Sequence, residues 1–295
     1  MRADHHAQHS ELSLSDEDLY WLARKDTTHA YQNLVEEKYL PTLLGEQLDP
    51  YEKYDFDIDP SMDVYFAASS FRYGHASLSG LIRRLNKDFG PIPGGPWLLR
   101  DVFDRTEAFL SSKSDVASVL RGLAAEASKA IDLSFADDVA FFTGQMAVYN
   151  VQRGRDQGLP SYNDARESFG LDKISSYHNI SDGDEFVEKT LARLYRSVDD
   201  IDAYVGELLD AKNEVLKASL KEQFSRLRDG DRFWYKQMLN ETEIAGLPTL
   251  TEMMIMTFGE KEMAHFPGDS FAVANGNPIH GVSNDDTLNS LSLLE

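Results

Sequence analysis

Cysteine is missing altogether from these 295 residues. Its absence excludes disulfides, thiolate metal sites, iron–sulfur clusters and a cysteine nucleophile. Any metal must be held by histidine or carboxylate, or arrive inside a cofactor. Long apolar runs are missing too, and nothing approaches the roughly 18 consecutive apolar residues of a membrane span. The opening stretch MRADHHAQHSEL is polar and lacks the apolar core of a secretory signal. As it stands the chain is expected to be neither exported nor inserted, and its compartment stays unassigned. Basic residues are scarce, 29 against 50 acidic ones, for a net charge of -21. A surface of that sign repels phosphate backbones, which argues against nucleic acid as a partner. Strand signals are few and no internal repeat is visible.

What is present is helical spacing of apolar residues. Ser15-Asp16-Glu17-Asp18 reads as a capping box, followed by Leu19, Leu22, Ala23, Ala30 and Leu34, with Pro41 and Gly45 ending the segment. From Met62 to Asn86, the residues Val64, Ala67, Phe71, His75, Leu78, Ile82 and Leu85 recur every three or four positions, which predicts one helix. Further helices are expected near 102–111, 114–130, 136–151, 184–197, 214–226, 241–245 and 249–257. The stretch RGRDQGLPSYND (153–164), with Gly154, Gly158 and Pro160, reads as a tight charged loop. From Phe266 onward the periodicity gives way to Asn, Asp, Gly and Ser. The expected architecture is therefore an all-α domain over 1–265 with an irregular tail over 266–295.

Within FRYGHASLSG, His75 falls on the apolar stripe, four residues after Phe71 and three before Leu78. A hydrogen-bonded core histidine would explain it, and so would a ligand. Gly74 leaves room for something flat to approach. Arg72, one turn back, is costly to bury without an anion. A flat ligand that carries carboxylates accounts for all three, and haem is such a ligand: imidazole to iron, guanidinium to propionate. Asn150 stands near a predicted helix end, before Arg153, Arg155 and Asp156. Pairing of Arg155 with Asp156 would explain that turn but gives Asn150 no role.

FRYGHASL and NVQRGRDQGLPSYNDAR together resemble the two proximal-side signatures of the animal-type haem peroxidases. EEKYLPTLLG before them, and DIDAYVGELLD and EQFSRLRDGDRFWY after them, are similar to the same family in the same order. The resemblance covers about residues 1–260. It implies a helical haem peroxidase fold, b-type haem, and reduction of hydrogen peroxide coupled to oxidation of a halide or small organic donor. Carried over position by position, His75 matches the proximal iron ligand and Asn150 its hydrogen-bond partner, through the amide oxygen. Arg72 and Arg153 match basic positions expected to meet propionates. Asp156, Arg228, Asp229, Asp231 and Arg232 also fall in family motifs, where loop-locking ion pairs are the expected role. Gln157 departs from the pattern, which usually has histidine there. Fatty-acid dioxygenases of the superfamily carry a radical-forming tyrosine three residues before the proximal histidine. Arg72 stands there instead, with Tyr73 one position off, so the resemblance favours the peroxidase branch.

The family's distal histidine, distal arginine and calcium loop lie upstream of every matched segment. The resemblance therefore implies only the proximal half, truncated at the N-terminus relative to the family, with a missing N-terminal half as a possible partner. No calcium site or ester-linked haem is expected from the residues present. His5 and His9, four apart, have the spacing of two metal ligands on one helix face, and Asp4-His5 mimics part of the distal motif, but at a polar terminus neither role is expected. His29, His178, His265 and His280 lack supporting neighbours. An alternative reading is a catalytically impaired fragment that serves as a haem- or partner-binding module. A third is an incomplete chain with no independent role.

Overall fold

The computed structural model describes residues 14–142 and 145–271. These fold into helices joined by short turns, with one two-stranded ribbon among the described residues, so the all-α expectation holds. Helix α1 (Asp16–Leu34) begins where the sequence signals it. Ser15 Oγ accepts the Asp18 N–H while the Asp18 carboxylate takes the Ser15 N–H. It passes through a π turn (Val35–Tyr39) into α2 (Leu40–Leu44). Pro41 does not end this segment; it sits in the first turn of α2, directly after the π turn. Gly45, at φ 79°, does end it.

The single helix expected from Met62 to Asn86 is not formed. Asp63 caps a short α3 (Val64–Ala68), the chain breaks at Ser69 (φ -128°, ψ -80°), and a 3-10 turn follows over Ser70–His75. Then β1 (Leu81–Ile82) pairs antiparallel with β2 (Trp97–Leu98), Leu81 opposite Leu98. The break has a cause outside the segment: the hydroxyls of Ser69 and Ser70 both bond the buried carboxylate of Glu207. Spacing of three or four persists across a 3-10 turn, so periodicity alone could not reveal the change. One consequence is exposure. Phe71 and Leu78, expected in the core, are 46% and 45% exposed.

Helix α4 (Lys113–Ala125) starts at a second reciprocal cap, Ser112 with Asp115. The helix expected near 102–111 resolves into two single turns, Leu99–Val102 and Thr106–Phe109. That expected over 136–151 becomes a π turn (Asp138–Phe142) and α5 (Met146–Asp156). Helix α5 runs straight through Arg153, Gly154 and Arg155, where the sequence reads as loop. One glycine inside a helix costs only about 1 kcal/mol against alanine. Gly158, at φ 66°, is the real stop, and Ser161 caps α6 (Tyr162–Ser168). There follow α7 (Glu185–Leu194), α8 (Ala203–Leu209), α9 (Glu214–Asp229) and α10 (Leu250–Phe258). Helices α6 and α8 escape the sequence reading; seven residues each are too few to display two turns of spacing.

Helix α9 is the spine of the core. Its Val215 packs with Tyr65, Tyr162, Ile180 and Ile201, while the adjacent Leu216 joins Leu40, Leu44, Phe66 and Leu220. A third cluster, Ala76 with Tyr204 and Leu208, lies beneath the 3-10 turn. Contact between α8 and α6 depends on Gly206, where a Cβ would come within 2.1 Å of the Tyr162 ring. Residues just past the expected domain boundary at His265 pack back on α10: Thr251 Oγ1 donates to the Pro267 carbonyl at 2.6 Å. The remaining tail, 272–295, lies outside the described residues. No helix among those described is long and apolar enough to cross a membrane.

Candidate functional site

The 3-10 turn and helix α5 meet at the side chain of Asn150. Asn150, the fifth residue of α5 and 0% exposed, places its amide nitrogen 2.9 Å from Nδ1 of His75, across 75 residues of sequence. Its amide oxygen accepts from Arg72 Nη1 at 3.3 Å. Arg72 Nε also donates to the Ala67 carbonyl at 3.1 Å, folding the guanidinium back along its own turn. Three of the four residues singled out in the sequence are thus gathered at one point. Arg153, one turn beyond Asn150 on α5, is exposed and has no bonded partner among the described residues.

One detail differs from expectation. Asn150 faces His75 through its nitrogen, and its oxygen is taken by Arg72. Half a turn of the carboxamide would exchange the two, provided that Arg72 let go. Nothing covalent opposes this, and the atom that faces the imidazole is decided by hydrogen bonding alone.

The imidazole is only half-buried. Burial, opposed by the Asn150 hydrogen bond and helped by the positive charge of Arg72, moves its pKa below the usual histidine value. The ring is therefore neutral at pH 7, as metal ligation requires. Beside it, nothing lies within 4 Å of the place a Cβ on Gly74 would occupy. Exposed Phe71 and Leu78 flank the turn, and exposed Val148 and Tyr149 precede Asn150 on α5. A neutral imidazole held at one nitrogen, open space, a cation and uncovered apolar side chains together fit a flat, iron-bearing, carboxylated group. Among the described residues no cluster of three or more His, Asp or Glu could hold a bare metal ion. An iron that arrives in a macrocycle needs only one protein ligand.

Tyr73 points elsewhere: its hydroxyl meets that of Tyr39 at 2.6 Å, on the side of the α2–α9 core. The expected pairing of Arg155 with Asp156 is not made. Arg155 reaches Asp202 in a bidentate bridge at 2.9 and 2.8 Å, and Asp156 accepts from Gln152. Gln157 serves as the residue that closes α5. Arg228 and Asp229 are bonded to each other at 2.7 Å, Asp231 accepts from Gln32, and Arg232 lies over the Phe233 ring. Of the other histidines, His29 is buried, His178 sits 3.3 Å from Glu188 and His265 sits 3.6 Å from Asp88. His5, His9 and His280 lie outside the described residues.

Sequence reasoning missed the support of this site. The Tyr204 hydroxyl on α8 donates to the Arg72 carbonyl at 3.2 Å, and one turn on, Glu207 receives both serines. The signal was available: in DAYVGELLD a glutamate stands three residues after Tyr204, on the stripe that Leu208 continues at four.

Comparison with known proteins adds an independent line. The model of the animal haem peroxidase family matches residues 6–260. The chain is 34% identical over 290 residues to a dual oxidase of Drosophila melanogaster, which covers 90% of this chain but 19% of that protein. It superposes on peroxidase A from Dictyostelium discoideum with a TM-score of 0.77 at 25% identity, covering 94% of this chain and 53% of the other. A fatty acid alpha-dioxygenase of Arabidopsis thaliana gives a TM-score of 0.76 at 17% identity, a likeness of fold alone. In each case the chain spans at most about half of the longer protein. By its matched length and its fold, the chain belongs to the animal haem peroxidase family.

Proposed function

We propose that this chain binds b-type haem through His75 and forms the proximal side of a haem-dependent peroxidase, which reduces hydrogen peroxide while oxidising a halide or small organic donor. The observation that carries this reading is the His75–Asn150 contact, made by two side chains 75 residues apart on separate elements. Bound haem would supply the two-electron chemistry; the rest falls to the protein. His75 offers Nε2 while Asn150 holds Nδ1. For that division Nδ1 keeps its proton and donates it to the amide oxygen, so the carboxamide adopts the turned orientation. Arg72, released from Asn150, and Arg153, already exposed, are the cations for the propionates.

Peroxide cleavage also needs an acid–base group and a positive charge on the opposite side. We assign these to a further body of protein that covers the apolar side chains around His75, corresponding to the part of the longer relatives that this chain does not span. An uncovered face of that kind is otherwise unfavourable in water.

Hemin titration followed by the Soret band tests the ligand. His75→Ala is expected to abolish haem retention, whereas His178→Ala, at an exposed surface pair, retains it. Equal haem content in the two variants ends the assignment.

A further inference from the structure

Beneath the turn that presents His75 lies an ionisable group which the proposed chemistry does not use. Glu207 is 3% exposed, and no cation pairs with it among the described residues. Its oxygens accept from Ser69 Oγ at 2.9 Å and from Ser70 Oγ at 2.6 Å, and both serines are fully buried. These serines form the joint at which α3 ends and the 3-10 turn begins. The same helix, α8, also grips the middle of the turn through Tyr204 and the Arg72 carbonyl. The turn therefore stands on α8 at two places, one a neutral hydroxyl and the other a carboxylate.

The groups facing that carboxylate are few. From α3 the Tyr65 hydroxyl lies beside it, buried and without a well-formed hydrogen bond. On α8 and its C-terminal cap, Tyr204 and Asp210 lie a turn to either side. Asp210 is engaged by the Tyr162 hydroxyl at 2.9 Å and Arg166 at 3.7 Å. Helix α5 contributes Asn150, already bonded to Arg72 and His75, and α9 contributes Glu214, already paired with Arg166 at 2.8 Å.

We infer that Glu207 is a proton-sensitive positioning residue, whose carboxylate fixes Ser69 and Ser70 so that Arg72 and His75 project from the turn in the ligand-binding arrangement. This rests on the proposed haem role of His75. The physical step is a change in donor count. An ionised carboxylate accepts from both serine hydroxyls. Once protonated it becomes a donor itself, and one serine must reverse and find another acceptor for its proton in the buried interior. Burial pushes this carboxyl up to about 7, against the pull of the hydrogen bonds from Ser70 and Ser69 and of the nearby Tyr65 hydroxyl, so the change falls near neutral pH.

The test has one arm without haem and one with it. In the apo chain, amide and imidazole NMR signals of residues 69–75 are expected to shift with an inflection near pH 7, separate from the titration of His75 at lower pH. Glu207→Gln, which copies the protonated pattern, should remove that inflection. Ser70→Ala should move it to higher pH, because the ionised form loses its shortest donor. With hemin as the probe, Glu207→Gln should bind about fivefold more weakly than the wild type at pH 8, one hydrogen bond's worth, and equally at pH 6. A merely structural role would give the same ratio at both pH values. That result, or an apo titration without the inflection, overturns the proposal. Should Glu207→Gln not fold, the wild-type titration and Ser70→Ala decide alone. Wild type that fails to take up hemin through His75 would instead defeat the haem role, leaving the apo arm to judge the coupling of Glu207 to the turn.

Discussion

Two polar clusters of this molecule are built from similar residues to opposite ends. Where α1 and its π turn meet the end of α9, Glu36 is buried among Arg228 Nη1 at 3.3 Å, Lys236 Nζ at 3.1 Å and the Tyr235 hydroxyl at 2.8 Å. Arg228 also donates to the Asp49 carbonyl and pairs with Asp229, while the two ends of the Gln32 amide bond Asp231 and the Tyr235 N–H. Every charge there is answered. At the His75 turn a half-buried imidazole shares one amide with one arginine, beside open space and exposed apolar side chains. The first arrangement can only hold chain segments together. The second keeps a nitrogen, a guanidinium and a surface available for something else.

The sharpest way to break this contrast is to remove the cation from the first cluster and the imidazole from the second. Arg228→Ala takes one of two cations from buried Glu36, leaving Lys236 and the Tyr235 hydroxyl, so the loss should approach but not exceed the about 3–5 kcal/mol of a fully broken buried pair. Urea unfolding should show that loss, with haem uptake failing only as the fold fails. His75→Ala removes a half-buried ring with a single bond, so a change within about 1 kcal/mol is expected beside complete loss of haem. Comparable destabilisation by the two substitutions would mean that the turn, too, is chiefly structural.

Next in size comes the pH dependence that Glu207 imposes. Its carboxyl ionises at 4.5 when unperturbed and at about 7 in the fold. Between these values the folded chain binds the proton more firmly than the unfolded one. Its contribution to stability is therefore whole below about pH 4.5, falls as pH rises, and is gone above about 7. At roughly 1.4 kcal/mol per unit, the burden at pH 8 is at most on the order of 3 kcal/mol. Glu207→Gln should accordingly be more stable than wild type at pH 8, with the gap closing toward pH 5. A gap that widened on acidification would reverse the sign of the argument.

How much of this was written in the sequence depends on the range of the forces involved. Caps and stops were legible because they are local: Ser15 with Asp18, and Gly45, act within one turn. His75, Asn150 and Arg72 were singled out through their motifs, and the fold brings the three side chains together. The break at Ser69 was not, because its cause is a carboxylate 138 positions away. Arg155 was misassigned for the same reason: a partner 47 residues distant outcompeted the neighbour in sequence. The buried helix expected for the first signature is instead a turn whose serines are buried and whose imidazole is half-buried.

A finer test of the contrast lies in the amide between the two functional elements. Asn150→Asp would place a carboxylate against Nδ1, drawing its proton more strongly and making the ligand more electron-rich. In the hemin-loaded chain the reduction potential is expected to fall, as spectroelectrochemistry would register. A potential that stayed put or rose would show that position 150 does not act on the ligand.

The smallest effects separate two arginines that stand two residues apart, on roughly opposite sides of one helix. Arg155 is 58% exposed on its side chain, yet it forks onto Asp202, which is 17% exposed and also receives the Tyr195 hydroxyl at 2.7 Å. Arg155→Ala should cost no more than about 1 kcal/mol, the range of an exposed pair, and leave hemin affinity unchanged. Arg153 has no bonded partner among the described residues, so Arg153→Ala should not move the unfolding midpoint at all. If Arg153 meets a propionate, its loss weakens hemin binding by roughly an order of magnitude, as removal of one charge-assisted hydrogen bond would. The two substitutions delete the same side chain two residues apart and should produce opposite readouts. Matching effects on affinity would mean that α5 presents its whole basic end to the ligand, and would erase at this scale the division between locking and available charge on which the comparison of the two clusters depends.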